Sequence, residues 1–255
     1  MDTKKIILCG CVCLHSLATA GSMGSDPGYA GLWAGVGGGY INTTTHGKTN
    51  ITMVQQTGSS SASYEMDNNQ DTHFSPIADL GYFYALQNQW YLGAKAVYKY
   101  IGSEQYNRTW SGTFNDGTNQ TAEFHTKLNQ EFFFLLNAGY QFGQWLVYGG
   151  LGPSIVDVSE VLDGELLPAT STVFQPVNLS ATKTIWGGAG QVGFEYMLPN
   201  RFMVDISYNF VVSGNVNMPP MYFQSSAAGA YTTFVQRVQV VEQGVNISIN
   251  KYFML

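Results

Sequence analysis

Eight segments of this chain alternate apolar and polar residues with a period of two, and the connections between them are long and short by turns. The segments are residues 32–41, 73–85, 90–101, 128–142, 145–158, 184–198, 201–212 and 233–253. Successive side chains of a strand point to opposite faces, so this period marks amphipathic β-strands. The segment 201–212 is the cleanest. Phe202, Val204, Ile206, Tyr208, Phe210 and Val212 share one face; Arg201, Met203, Asp205, Ser207, Asn209 and Val211 share the other. Long polar stretches at 42–72, 102–126, 159–181 and 213–232 follow the odd-numbered segments and are expected to be loops. Turn-sized links at 86–89, 143–144 and 199–200 follow the even-numbered ones. A soluble sandwich has no reason to sort connection length so strictly to one end. A transmembrane barrel does, with long extracellular loops and short periplasmic turns.

Composition supports that architecture. Only 11% of residues are charged, against roughly 25% in soluble domains, yet mean hydropathy is only -0.05. A membrane helix needs about 20 consecutive apolar residues, and no such run occurs. Apolar and polar residues that alternate and cancel, with abundant glycine and aromatics, suit a lipid-embedded barrel. Aromatics gather beside the short turns (Tyr82, Tyr84, Trp90, Tyr140, Phe142, Trp145, Tyr196, Phe202, Tyr252, Phe253), where an interfacial girdle is expected. The apolar faces are therefore expected to look outward at lipid.

The polar faces then line the lumen, and Asp79, Lys95, Lys99, Glu131, Glu195 and Asp205 all fall on them. An eight-stranded barrel has an interior just wide enough for side chains. Isolated buried charges are costly, so these residues are expected to form a lumen charge network. Asp205 awaits Lys95, Lys99 or Arg237, and periodicity does not choose among them. Around 242–244 the alternation slips. A bulge there puts Val238 and Val240 outward; an unbroken phase puts Arg237 at the outer rim.

Residues 1–20 have the form of a secretory signal: Lys4 and Lys5, an apolar stretch, then Ala18-Thr19-Ala20. Residues 21–31 are expected to form a short periplasmic tail and 32–255 the barrel. The three cysteines lie inside the signal, leaving no thiols in the mature chain. Leu8-Cys9-Gly10-Cys11 is a poor lipoprotein box, because too little apolar segment precedes it. Without the signal, nine basic and sixteen acidic side chains remain, a net charge of -7. An acidic chain without a basic stripe is not built for nucleic acid.

Other motifs have bland explanations. Gly188-Ala-Gly-Gln-Val-Gly193 spells a dinucleotide fingerprint, with Asp205 downstream, but no helix follows it. His73-Phe74-Ser75 could in principle pair a base with a nucleophile, as in certain barrel deacylases of lipid A, but the acid to orient the base is missing and both side chains face inward. His46 and His125 lie in separate loops and no HExxH or CxxC occurs, so no metal or other cofactor is expected. Asn-x-Ser/Thr triplets at Asn42, Asn50, Asn107, Asn119, Asn178 and Asn246 arise readily in stretches so rich in Asn, Ser and Thr.

The chain resembles the small eight-stranded outer-membrane β-barrel superfamily, which includes the OmpA-type transmembrane domain and OmpX-like and OmpW-like proteins. The signal, the opening strand Trp33-Ala-Gly-Val-Gly-Gly-Gly-Tyr40, the four long-loop hairpins and the terminal Asn250-Lys251-Tyr252-Phe253 carry the resemblance. It implies an all-β, antiparallel, up-and-down barrel in the outer membrane of a Gram-negative bacterium. It also implies contact with membrane lipid and lipopolysaccharide, and recognition by the assembly machinery through the strand ending at Phe253, although Met254 and Leu255 follow. A monomeric, non-enzymatic surface scaffold for adhesion or envelope integrity is the first functional expectation. A narrow channel for small or hydrophobic solutes is the second, and a lipid-modifying barrel enzyme the third.

Overall fold

A computed structural model describes residues 31–55, 58–113, 119–167, 175–224 and 231–253. The expected signal and the expected tail, up to residue 30, and Met254 and Leu255 lie outside the described residues. Eight long strands form the wall: β1 (Gly31–Gln55), β2 (Gly58–Ala85), β3 (Trp90–Thr113), β4 (Asn119–Phe142), β5 (Trp145–Leu167), β6 (Gln175–Met197), β7 (Phe202–Ser213) and, last in the chain, β10 (Tyr231–Phe253). Two short strands, β8 (Val216–Asn217) and β9 (Met221–Gln224), lie between β7 and β10. Each long strand pairs antiparallel with its sequence neighbour, and β1 pairs with β10 from Leu32↔Phe253 to Val54↔Tyr231. The sheet is therefore a closed ring without edges at its base.

The faces follow the alternation. Val36, Tyr40, Phe74, Tyr100, Leu136, Leu151, Trp186, Val192, Phe210 and Ile247 are all exposed on the outer wall. These residues belong to a belt about eleven residues tall along each strand, the length that crosses a bilayer at a barrel tilt. Tyr252 departs from the expected girdle. It is 5% exposed and packs inward with Trp33, Phe83, Tyr91, Leu146 and Met203, because it shares the inner phase of Ser248 and Asn250. The β10 ladder runs without a shift through Glu242 and Gly244, so no bulge forms. Val238 and Val240 point inward and Arg237 outward.

The stretches expected to be loops are mostly strand. Apart from β7, the long strands run for 23 to 28 residues, about twice what the membrane requires. Their polar residues are rich in Thr and Ser, and an inner apolar phase persists above the belt at Ile51, Phe124, Leu162 and Phe234. Burying that phase, and satisfying the backbone through the ladder, outweighs the polarity that marks these segments as loops.

Above the belt the ring divides into two leaves. The β2–β3 ladder stops at Ile77↔Lys99, and the β6–β7 ladder at Gly187↔Ser213. Beyond Ser213 the segment 214–224 crosses to β10, pairing through β8 and β9. One leaf is thus β2, β1, β10 and this strap; the other is β3, β4, β5 and β6.

The interior is filled in layers from the turn end upward. The Trp33 cluster comes first, followed by a charged and amide-rich layer. A second apolar layer contains Ile77, Val97, Phe133, Leu135, Ala189 and Val211. Inward glycines act as sockets for facing side chains. A Cβ on Gly150 would lie 1.7 Å from Asn137 Oδ1, and one on Gly35 would lie 1.5 Å from Asn250 Oδ1. Glycine is required where a side chain approaches the opposing backbone so closely.

Two of the short turns share one geometry. Asn88-Gln89 and Asn200-Arg201 both have positive φ (61° and 67°, 63° and 65°). Each turn is closed by a backbone bond, Leu86 N–H to Trp90 O and Leu198 N–H to Phe202 O, both 2.8 Å.

Candidate functional site

All six residues that alternation assigns to the lumen are buried, and register sorts them into two groups. In the lower group Lys95 Nζ donates to Asp205 Oδ2 at 2.6 Å and lies 3.5 Å from Asp79 Oδ2. The Tyr148 hydroxyl donates to Asp205 at 2.9 Å, and Ser248 Oγ donates to Asp79 Oδ2 at 3.1 Å. Glu195, fully buried, lies directly across the β6–β7 ladder from Asp205 and within electrostatic range of Lys95. The Trp33 ring centroid is 5.2 Å from Lys95 Nζ and that of Tyr148 is 5.5 Å away, so rings as well as carboxylates hold the cation. Of the three candidate cations, Lys95 is the partner of Asp205. Arg237 is outside the barrel, its Nε donating to Asn215 Oδ1 at 2.7 Å.

The upper group is centred on Lys99. Its ammonium lies 3.2 Å from Glu131 Oε2 and donates to Glu242 Oε1, and it sits 4.9 Å from the Phe133 ring centroid. The apolar layer of Ile77, Val97 and Leu135 separates the two groups. Each cation faces more carboxylates than it can neutralise: two for Lys99, and three for Lys95. Such an arrangement ties β3 to β2, β4, β7 and β10 across the interior of the ring.

Among the buried polar residues that the sequence reading did not assign to the lumen are Glu242, Tyr148 and Glu160. Tyr148 carries no sequence signal beyond its inner phase on β5. Glu160 lies in a segment expected to be loop, yet Val156, Val158, Glu160 and Leu162 continue the β5 alternation, and that continuation is the signal for it. Glu160 is 0% exposed and accepts a 2.9 Å bond from Thr126 Oγ1. It stands above the membrane belt, where burial pushes its carboxyl up to about 8 even though Thr126 and Gln236 bond to it and oppose the rise.

The other candidates are placed as follows. Asp71 Oδ2 lies 3.3 Å from His73 Nδ1, the acid beside the histidine that spacing alone missed. Ser75 is 0% exposed and its hydroxyl donates to Tyr100 O at 2.7 Å, bridging β2 and β3. That proton is committed to a structural bond. The glycine fingerprint at 188–193 lies within strand β6, and His46 and His125 are on different strands, β1 and β4. Among the described residues no group of three or more His, Cys, Asp or Glu side chains is placed to hold a metal ion. Asn246 points into the lumen, 5% exposed.

A closed antiparallel ring of eight long strands, with an apolar outer belt and charged residues buried inside, defines a transmembrane β-barrel. Residues 9–234 match the family described as outer membrane protein beta-barrel domain, and the chain belongs to that family, in the bacterial outer membrane. A comparison with curated proteins found no match. Among solved structures, OprG from Pseudomonas aeruginosa is 15% identical, with 88% of this chain and 98% of that chain covered and a TM-score of 0.37. The outer membrane protein AlkL is 13% identical, covering 93% of this chain and 97% of that chain, with a TM-score of 0.37. Ail, the attachment invasion locus protein of Yersinia pestis, is 13% identical, with 85% and 99% covered and a TM-score of 0.27.

Proposed function

We propose that this protein is a monomeric, non-conducting and non-catalytic scaffold that carries recognition surfaces above the outer membrane. The observation behind this reading is the packed interior, in which buried apolar and charged layers succeed one another from Trp33 to Phe234. The wall rises about twice as far as membrane crossing requires. A barrel whose lumen is filled and whose strands continue outward as paired hairpins is suited to presenting surface for adhesion or envelope contact. Lipid and lipopolysaccharide cover the belt, and the assembly machinery recognises the final strand through Phe253, which is 45% exposed on the outer face. The Ser75 hydroxyl is buried and committed, which disfavours the hydrolytic alternative.

The test is paired. The purified barrel in planar bilayers should show no conductance above the lipid background. Deleting the upper parts of the β1–β2 or β3–β4 hairpins should abolish attachment to host cells while the folded band on unheated gels remains. Stable single-channel currents, or attachment that survives every hairpin deletion, would end this reading.

Passage of small hydrophobic solutes is the second reading, supported by a hollow of about 750 Å³ in the lipid-facing wall. Gly149 and Gly190 form its floor and Leu136, Leu151, Val192 and Phe210 its sides. It lies beside Pro153, where pairings of Phe134 and Leu135 with β5 are missing from the ladder. Uptake of apolar solutes by proteoliposomes that falls when Gly190 is replaced by leucine would favour it over the scaffold.

A further inference from the structure

Above the membrane the two leaves are joined at their seams by isolated hydrogen bonds, not by a strand ladder, and by side-chain packing. Between β2 and β3 the contact just above the ladder is the Ser75 hydroxyl on Tyr100 O. Between β6 and the strap the contacts are Gly214 N–H to Trp186 O at 2.7 Å and Lys183 Nζ to Asn217 O at 2.8 Å. Two apolar clusters span the leaves. The lower has Ile101, Leu128, Val156, Val158 and Ile185 from one leaf against Met218, Val238 and Val240 from the other. The upper sets Phe124, Leu162 and Ala181 against Ile51, Met221 and Phe234, with the Phe124 and Phe234 rings edge-on at 5.3 Å. Glu160 sits between the clusters. Its donors come from both leaves: Thr126 from β4 and Gln236 from β10. Its Oε2 has no hydrogen-bond partner among the described residues.

We propose that Glu160 is a pH-sensitive clasp: while its carboxyl is protonated the two leaves stay closed, and its ionisation parts them and opens the apolar interior of the extracellular half.

The surroundings give the ionised form little help. On β4, His125 lies 3.7 Å from Asp163 and 4.0 Å from Glu123, and Lys127 stands opposite Ser159. On β6 the residue opposite Glu160 is Ala181, and Lys183 is held by Asn217. On β10 Arg237 points outward to Asn215, and on β1 Lys48 is exposed opposite Arg237. On β2 His73 is paired with Asp71. On β5 itself Asp157 accepts from Gln130 and Thr184. Burial is the largest influence on the Glu160 carboxyl and raises it to about 8, against the bonds from Thr126 and Gln236. A carboxylate formed there gains most by reaching water. The way to water is separation of the leaves, which no backbone ladder opposes at their two seams.

The experiment uses isoleucine methyl NMR of the folded full-length barrel in lipid nanodiscs between pH 5.5 and 9.5. Ile51, Ile101 and Ile185 report on the two clusters; Ile206, Ile247 and Ile249 report on the lipid-facing belt. The cluster methyls are expected to shift with a midpoint near pH 8 while the belt methyls stay fixed. Glu160→Gln, which keeps the shape of the neutral acid, should remove that response. Thr126→Val, which removes a bond favouring the ionised form, should move the midpoint upward. Cluster methyls that ignore pH in the native protein would overturn the proposal. An unchanged response in Glu160→Gln would too, as would a midpoint in Thr126→Val that stays or falls. Belt and cluster methyls moving together would show global unfolding and equally overturn it. If Glu160→Gln gives no folded band on unheated gels, the direction of the Thr126→Val shift decides alone.

Discussion

Replacing Lys95 with methionine is the perturbation from which the interior has most to lose. The ammonium is 2% exposed, bonded to Asp205 at 2.6 Å, 3.5 Å from Asp79 and within range of Glu195. Methionine fills much the same space, and the Trp33 and Tyr148 rings that flank the ammonium accept its thioether. The packing change is therefore small and the loss is electrostatic. Removing one partner of a buried pair leaves an uncompensated charge at a cost of about 3–5 kcal/mol. Here three carboxylates lose their common cation, which places the expected loss at the upper end of that range. Lys48→Met is the control. Lys48 is exposed on the outer face of β1, and its loss should change stability by no more than about 0.5 kcal/mol. Reversible urea unfolding in vesicles, followed by tryptophan fluorescence and by the folded band on unheated gels, measures both. Adding Asp205→Leu to Lys95→Met should recover part of the loss, because one stranded carboxylate is then gone. If Lys95→Met costs no more than Lys48→Met, the buried charges do not hold the barrel closed and the reasoning fails.

Three other outcomes follow from the same geometry. Leu136→Arg places a charge on an outer residue that is 77% exposed to lipid in the middle of the belt; about 2–4 kcal/mol of folding stability should be lost in the same urea assay. Gln89→Gly and Arg201→Gly relieve non-glycine residues at φ of 67° and 65°, and each should raise stability by about 1 kcal/mol. Glu160 has a carboxyl raised in the folded protein to about 8 from an ordinary 4.5. Its contribution is fully present below about pH 4.5 and is lost as pH rises through about 8. The native barrel should therefore weaken relative to Glu160→Gln across that window, as read by urea midpoints; the opposite slope would refute the burial argument.

Much of the barrel is written in local alternation. Phe202, Val204, Ile206, Tyr208 and Phe210 face outward and Asp205 inward for the same reason that any strand alternates, and the short turns at 143–144 and 199–200 need only their own residues. Segregation of short and long connections sets the number of strands and which end holds the turns. Extent was less legible. The segments 42–72 and 159–181 are polar enough to pass for loops, and the apolar residues that keep them in strand, such as Ile51 and Leu162, gain their value from contacts far away in the chain. The phase of β10 at 242–244 is likewise fixed only by its ladder with β1.

Pairing was beyond the sequence altogether. Alternation puts Asp79, Lys95, Lys99, Glu131, Glu195 and Asp205 on one side of the wall, but says nothing of distance around the ring or along its axis. Lys95 meets Asp205 across 110 positions of chain, and Lys99 meets Glu242 across 143. Those meetings depend on strand stagger and ring closure, which are properties of the whole sheet. The division of the upper wall into two leaves, and the burial of Glu160 between them, were decided in the same way. Sequence determined which face each residue occupies, because a strand's period is local. Tertiary structure alone decided which residues meet, because register is set by every ladder at once.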